Sequence, residues 1–343
     1  MKPLFVLLFS LTTLWQVTFC QSASVDKVEF FKDTSILNTS IVTHTGKLLG
    51  SNKKKGLTLP ATITTTLADG TPVNEPVLLE VRGNFRRGYC YLPPIKVIFT
   101  ANENSKVYPG KSLKLVNECF TTNTNQQYIF KEFLIYKIYN LLTDKSFRVR
   151  LLNVNFKDSS GKKKTITEHA FFMEDVKDLA KRNNCKEWKK GKLGSESTDR
   201  RQMTMVAIFE YMIGNTDWAV SAGHNTNLIY YKDDSLARPL VVPYDFDYSG
   251  LVNTDYAIPD EKLGIDNVRQ RLYRGFSRTM DELNEVLTIF KQKKEKMYAL
   301  IKGFSLLDSN SKYDMIKYLD EFFDTINRPS SVREAFIANA RTN

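Results

Sequence analysis

The stretch TNQQYIFKEFLIYKIYNLLT, residues 124–143, divides the chain. Its Phe130, Phe133, Leu134, Ile138, Leu141 and Leu142 recur at helical spacing, which predicts a helix with one apolar stripe, capped by Thr124 or Asn125. Lys131, Glu132 and Lys137 lie off that stripe. On either side the pattern changes to strands. Residues 60–67 (PATITTTL) alternate and are β-branched, and 77–82, 95–100, 112–116, 147–156 and 166–173 read alike, with Gly or Pro between them. Beyond Glu174 helical spacing takes over at 198–213, 267–276, 280–302 and 313–326, with short strands at 227–231 and 240–242. Strands with one helix, followed by a helical half, predict an α+β chain in two lobes. The strand-rich lobe spans 21–175, the helical lobe 176–343, and the join lies near Glu174–Asp178.

Residues 1–20 carry a lysine, then LFVLLFSL (4–11), then small and polar residues, the pattern of a signal peptide cleaved after Cys20. The expectation is an exported chain, periplasmic, cell-surface or extracellular. A lipid anchor on Cys20 is the weaker alternative, because Phe19 stands where a small residue is needed. No later segment is long and apolar enough to cross a bilayer. The formal charge of +11 favours acidic partners such as nucleotides or anionic surfaces. Much of it lies in lysine runs such as 53–55 and 162–164, and no stripe of interleaved aromatic and basic residues points to nucleic acid. Of Cys90, Cys119 and Cys185, the first two both follow strand-like segments of the N-terminal half and are expected to pair in an oxidising compartment. His44, His169 and His224 are scattered and no CxxC occurs, which argues against zinc.

Three segments carry chemistry. VRGNFRR (81–87) ends a strand in a Gly-containing, Arg-rich turn, and Lys96 follows on the next strand; such a turn can offer N–H groups and guanidinium forks to phosphate. GNTDW (214–218) closes a helix and leads to HNTN (224–227), where Asp217 can serve as a base and Asn225 or Asn227 as a neutral oxygen ligand. PYDFDYSG (243–250) places Asp245 and Asp247 at a strand end, suited to a hard cation. The bland readings are a basic turn, a capped helix end and an acidic surface turn. A glycosidase reading of Asp245 and Asp247 fails, because carboxylates at i and i+2 cannot flank a sugar bond from opposite sides.

The order of parts is that of protein-kinase-like enzymes: a strand lysine, a helix glutamate, an Asp…Asn loop, then an Asp after a short strand. Arg82-Gly83-Asn84 with Lys96, the Lys114-Leu115-Val116 approach to the helix and Tyr244-Asp245-Phe246-Asp247 resemble the CotH family of exported, atypical kinase-like proteins, as found in Bacteroidetes. The GNTD stretch is similar to the catalytic loop of HipA-type kinases. The likeness spans about Pro76 to Gly250. It implies a two-lobed protein-kinase-like fold, ATP with Mg²⁺ (or Mn²⁺), and phosphate transfer to a hydroxyl of an exported protein acceptor. By that likeness Asp217 is catalytic, Arg82, Lys96 and Glu132 bind the nucleotide, and Asn225, Asp245 and Asp247 hold metal. Two departures stand out: a longer Asp217-to-Asn225 loop, which leaves Asn225 and Asn227 both open, and Phe85 where the family has a small hydroxyl residue. The rival expectation is a kinase-like cell-surface binding module without catalysis.

Overall fold

The computed structural model describes residues 27–50, 54–67, 70–234 and 236–342. The signal-peptide reading of 1–20 and the Cys20 alternative lie outside them. Elements run α1 (Lys27–Lys32), β1 (Leu37–Thr43), α2 (Thr45–Gly50), β2 (Thr58–Thr66), β3 (Pro72–Val81), α3 (Phe85–Tyr89), β4 (Ile95–Phe99), β5 (Ser112–Asn117) and α4 (Asn123–Leu142). Then follow β6 (Val149–Asp158), β7 (Ile166–Met173), α5 (Val176–Arg182), β8 (Cys185–Glu187), α6 (Arg200–Ile213), β9 (Thr226–Tyr231), β10 (Leu240–Pro243), α7 (Met280–Gly303), α8 (Ser309–Asn327) and α9 (Pro329–Arg333).

The two-lobed kinase-like fold expected from the sequence is not the one adopted. The first seven strands close into a barrel in the order β1-β2-β3-β4-β5-β7-β6. The closing strand is β1, which pairs antiparallel with β2 and parallel with β6, from Leu37 opposite Leu152 to Thr43 opposite Asp158. Closure removes the free sheet edges that an open lobe would have to protect. Alternate residues fill the interior: Ile41, Ile63, Leu79, Val97, Leu115, Leu152, Val154 and Phe172 are all fully buried. In β1 two of the inward positions are Thr39 and Thr43, so its apolar alternation is too weak to read from sequence.

The helix α4 is likewise not a stripe laid on a sheet. It is buried around its circumference, with Phe130, Ile135 and Ile138 at 0% exposure and Glu132 at 2%. One side meets β6 and β7 and the other meets α7, so it forms the axis on which barrel and helices join. Its cap is Thr122, whose side chain accepts from the Asn125 N–H at 3.2 Å, rather than Thr124 or Asn125. The helices α6, α7 and α8 and the sheet β10-β9-β8 pack into the same core as α4.

Residues 267–276 do not form the expected helix. Three arginines hold this segment in irregular form. Arg269 forks onto Asp314 with both bonds at 2.9 Å, Arg271 reaches Glu321 at 2.9 Å, and Arg274 donates to the Trp218 carbonyl at 2.8 Å. Residues 185–187 form β8 against β9.

At the end of α6, Gly214 adopts the left-handed conformation (φ 67°, ψ 35°). A Cβ there would stand 2.0 Å from Tyr318 Oη and 3.2 Å from the Val268 carbonyl oxygen. Gly214→Ala is therefore expected to destabilise the fold by about 2–4 kcal/mol, combining left-handed strain with overpacking. Urea denaturation measures this, and a loss under about 1 kcal/mol would mean that Tyr318 moves aside freely.

Candidate active site

The barrel and the helical half meet at a seam, and the charged residues of the three sequence segments converge there. From the barrel come cations. Arg82 follows β3, and its guanidinium lies along the next strands, donating to the Ile95 carbonyl at 3.1 Å and the Leu115 carbonyl at 3.2 Å. The turn that releases it depends on Gly83, at φ +81°, where a side chain would press on Pro94. One helical turn further on, Arg86 donates to the Asn117 carbonyl, while its Nε has no partner among the described residues. The disulfide Cys90–Cys119 ties this turn to the chain leaving β5.

Two lysines stand side by side on the outer face of the barrel, because Lys96 and Lys114 are directly opposed in β4 and β5. Lys96 forms an ion pair with Glu80 at 2.7 Å, so its charge is already matched within the barrel. Lys114, one strand nearer the seam, has its Nζ 4.5 Å from the centre of the Tyr244 ring. Burial first, and then the neighbouring Arg82, push the Lys114 amine down to about 8, with Asp245 pulling the other way. The structure thus brings Lys114, rather than Lys96, to the acidic side of the seam.

From the helical half come carboxylates. Glu132 projects from α4, and its Oε1 has no hydrogen-bond partner among the described residues. Burial, then Asp247 and Asp245, raise its carboxyl well above the usual range; Arg86 opposes them. Asp247 is 6% exposed and accepts from the Tyr256 hydroxyl at 3.0 Å. Burial and then Asp245 raise it to about 7, again against Arg86. Asp245 itself is held at φ +67°, with its backbone N–H donating 2.9 Å to Tyr136 Oη. Around Arg86, burial opposes the charge, but Tyr256, Asp247, Glu132 and Asp245 outweigh it and hold the guanidinium firmly protonated.

Asp217 sits at the mouth. Its carboxylate meets His224 Nε2 at 2.8 Å and accepts from Asn225 Nδ2 at 2.9 Å. Asn225 also donates to the Asp217 carbonyl at 2.7 Å, which leaves its own amide oxygen free of that pair. Asn227 instead stands in the β9 ladder opposite Val242. The two loops are held in register by backbone bonds, Tyr244 N–H to the Asn225 carbonyl (3.0 Å) and Gly250 N–H to the Gly214 carbonyl (3.0 Å). An aromatic group roofs the acidic pair: Phe85 stacks on Tyr89 at 5.1 Å, and Tyr248 and Tyr256 complete it.

Arg82, Glu132, Asn225, Asp217, Asp245 and Asp247 are thus gathered at or beside one seam, while Lys96 stands one strand away. Sequence reasoning passed over Arg86, although it lies four residues after Arg82 in the same turn, and gave His224 no role. Nothing local marks Tyr136 and Tyr256. Among the described residues no three His, Cys, Asp or Glu side chains are arranged to hold a metal unaided. Comparison with protein-family models, curated proteins and solved structures yields no match.

The pH dependence has a definite sign. Asp247 titrates near 7 in the folded chain against an ordinary 3.8, so the folded state binds more protons between these values and stability falls as pH rises through them. Glu118 and Glu210, raised chiefly by burial to about 7 and about 8, act in the same direction. Asp247→Asn removes one charge at little change of shape. It should raise stability at pH 8 by about 2 kcal/mol more than it does at pH 5. Urea denaturation at both pH values checks this, and an equal or larger gain at pH 5 would contradict it.

Proposed function

We propose that the seam is the site of a phosphotransferase that moves phosphate from ATP, with Mg²⁺ or Mn²⁺, to a hydroxyl of a protein acceptor, in a chain made for export. The observation that carries the reading is the facing of two half-sites. Arg82, Arg86 and Lys114 line one side, and Glu132, Asp245 and Asp247 the other. A polyphosphate with its cation answers both sides at once. Its oxygens suit the guanidinium forks, and its cation suits hard carboxylate and amide oxygens.

In this reading Asp245 and Asp247 carry the cation, with the Asn225 oxygen beside them. The bound cation supplies charge neutralisation at the phosphates. Arg82, Arg86 and Lys114 hold the phosphate oxygens. Asp217 takes the proton of the acceptor hydroxyl as that oxygen bonds to the γ-phosphorus. The bond to the β–γ bridging oxygen breaks, and its electron pair leaves with ADP. His224 and Asn225 keep the Asp217 carboxylate oriented. The resemblance to exported CotH-like proteins supports the same chemistry on residues, though not on fold.

Calorimetry with ATP, with and without Mg²⁺, and mass spectrometry of self-phosphorylation test it. Asp245→Ala and Lys114→Ala should each weaken Mg²⁺-dependent binding by about tenfold or more, and Lys96→Ala by less than about threefold. Asp217→Ala should leave binding nearly intact and lower transfer by about a hundredfold. Binding that ignores Mg²⁺ and survives Asp245→Ala would reject the site. Binding without transfer in the unaltered protein would favour the inactive cell-surface module.

A further inference from the structure

The two ends of the barrel carry charge differently. At the end where β1, β3 and β6 finish, α2 presents Lys47, and the approach to β2 presents Lys54 and Lys55. Beside them the last turn of β6 and its hairpin to β7 present Lys157, Lys162, Lys163 and Lys164. All these residues are exposed, and none has a carboxylate partner among the described residues. Of the acids there, Glu118 and Glu168 are buried, and the Asp158 carboxylate is taken up by its own surroundings. At the opposite end cations are matched: Lys27 pairs with Asp178, Lys32 with Glu29 and Arg150 with Asp33.

The lysines are mounted on a braced rim. Asp158 Oδ1 accepts from the Thr45 N–H and hydroxyl, both at 3.0 Å. Its Oδ2 accepts from the N–H groups of Lys162 at 2.9 Å and Lys163 at 3.2 Å. One carboxylate thus ties the lysine hairpin to α2. Lys55 Nζ reaches Asn84 Oδ1 at 3.1 Å, which joins the approach to β2 to the turn that bears Phe85 and Tyr89. These two rings are 50% and 44% exposed. Because β6, β1, β2 and β3 are successive neighbours in the barrel, the basic loops and the rings form an arc round its rim.

The form of this patch selects its partner. Lysine is a compact point charge without the planar fork that fixes one phosphate, so a field of lysines suits many anions whose positions are not set in advance. A linear polyanion is held by a groove that tracks its backbone. An arc across β6, β1, β2 and β3 matches a two-dimensional array of charges instead. The rings offer little platform to a base or a sugar, because Phe85 and Tyr89 already stack on each other, 5.1 Å apart and 19° between planes, with Tyr256 within 6.0 Å of both. Aromatic rings beside lysines are the set that the headgroup region of a bilayer accepts.

We infer that this end of the barrel docks on an anionic lipid surface, with the lysines among the headgroups and Phe85 and Tyr89 at their inner boundary. The inference rests on the barrel alone and is independent of phosphotransfer at the seam.

Co-sedimentation of the full chain with vesicles tests it. Vesicles of phosphatidylglycerol mixed with phosphatidylcholine should bind the chain about a hundredfold or more tightly than vesicles of phosphatidylcholine alone. Lys162→Gln, Lys163→Gln and Lys164→Gln together should weaken that binding about a hundredfold, at about fivefold for each charge. Phe85→Ser should weaken it about threefold. The matched control, Lys106→Gln, Lys111→Gln and Lys177→Gln together, lies at the opposite barrel end and should cost less than about threefold, since salt screens charges held that far from the surface. Equal losses in the two triple variants would reduce the effect to net charge and overturn the inference. Binding to heparin or to a single-stranded oligonucleotide that is tighter than to the mixed vesicles, with vesicle binding indifferent to Phe85→Ser, would overturn it in favour of a linear polyanion.

Discussion

Two buried carboxylates, Glu132 and Asp247, with the half-buried Asp245 beside them, are the constraint on which the rest of the structure turns. Removing an ion from water costs several kcal/mol even after relaxation, and like charges at close range add to that. Glu132 and Asp247 respond by holding their protons more tightly. The barrel responds by presenting Arg86, Arg82 and Lys114 to the same seam. Neither half would be reasonable alone. Without the carboxylates, Arg82 and Lys114 would face each other as like charges, and without the guanidinium groups Lys114 alone would oppose the acids. The seam therefore joins the two hydrophobic cores by electrostatic complementarity, and α4 is the element that reaches both.

The backbone around the acids is held in conformations it would not choose freely. Asp245 and Asn225 both have positive φ, at 67° and 51°. Such a conformation costs a non-glycine residue roughly 1 kcal/mol or more and persists where neighbours over-determine it. Here the neighbours are identifiable. Tyr136 Oη accepts from the Asp245 N–H, the Tyr244 N–H bonds the Asn225 carbonyl, and the Asn225 amide is locked onto Asp217. The constraint fixes where these side chains point within the folded chain itself. The disulfide serves the opposite wall in the same way, by fixing the turn that carries Arg86.

Much of this was legible in the sequence, and the gaps have physical causes. Most barrel strands show in their β-branched alternation, and the long C-terminal helices α7 and α8 in their spacing. The closure of the barrel does not show, because β1 fills two of its inward positions with threonine. The surroundings of α4 do not show either. A helix buried all round has no polar face to contrast with its apolar one, so periodicity picks out a stripe that packing does not respect. Residues 267–276 mislead for a related reason, since what breaks the helix is a set of distant partners for Arg269, Arg271 and Arg274. At the site, residue types and chain order pointed to Asp217, Asn225 and Asp245. They could not tell Lys96 from Lys114, since the difference is one strand of lateral displacement and a glutamate, Glu80, that only register brings opposite Lys96.

Arg86 has a wider reach than its one backbone bond suggests. A second buried carboxyl pair, Glu118 and Glu168, lies at the barrel end behind it. Burial and then Glu118 raise Glu168 well above the ordinary range, and Arg86 is the cation that opposes them. Glu168 Oε1 has no hydrogen-bond partner among the described residues, while Glu118 accepts from the His169 N–H at 2.9 Å. Arg86 thus stands between two acidic groups, one at the seam and one within the barrel wall. Burial is the chief reason these carboxyls hold their protons more tightly, and Arg86 opposes it at Glu132, Asp247 and Glu168. Arg86 thus serves the acids of both the barrel wall and the seam from a position set by a short turn, a glycine and a disulfide.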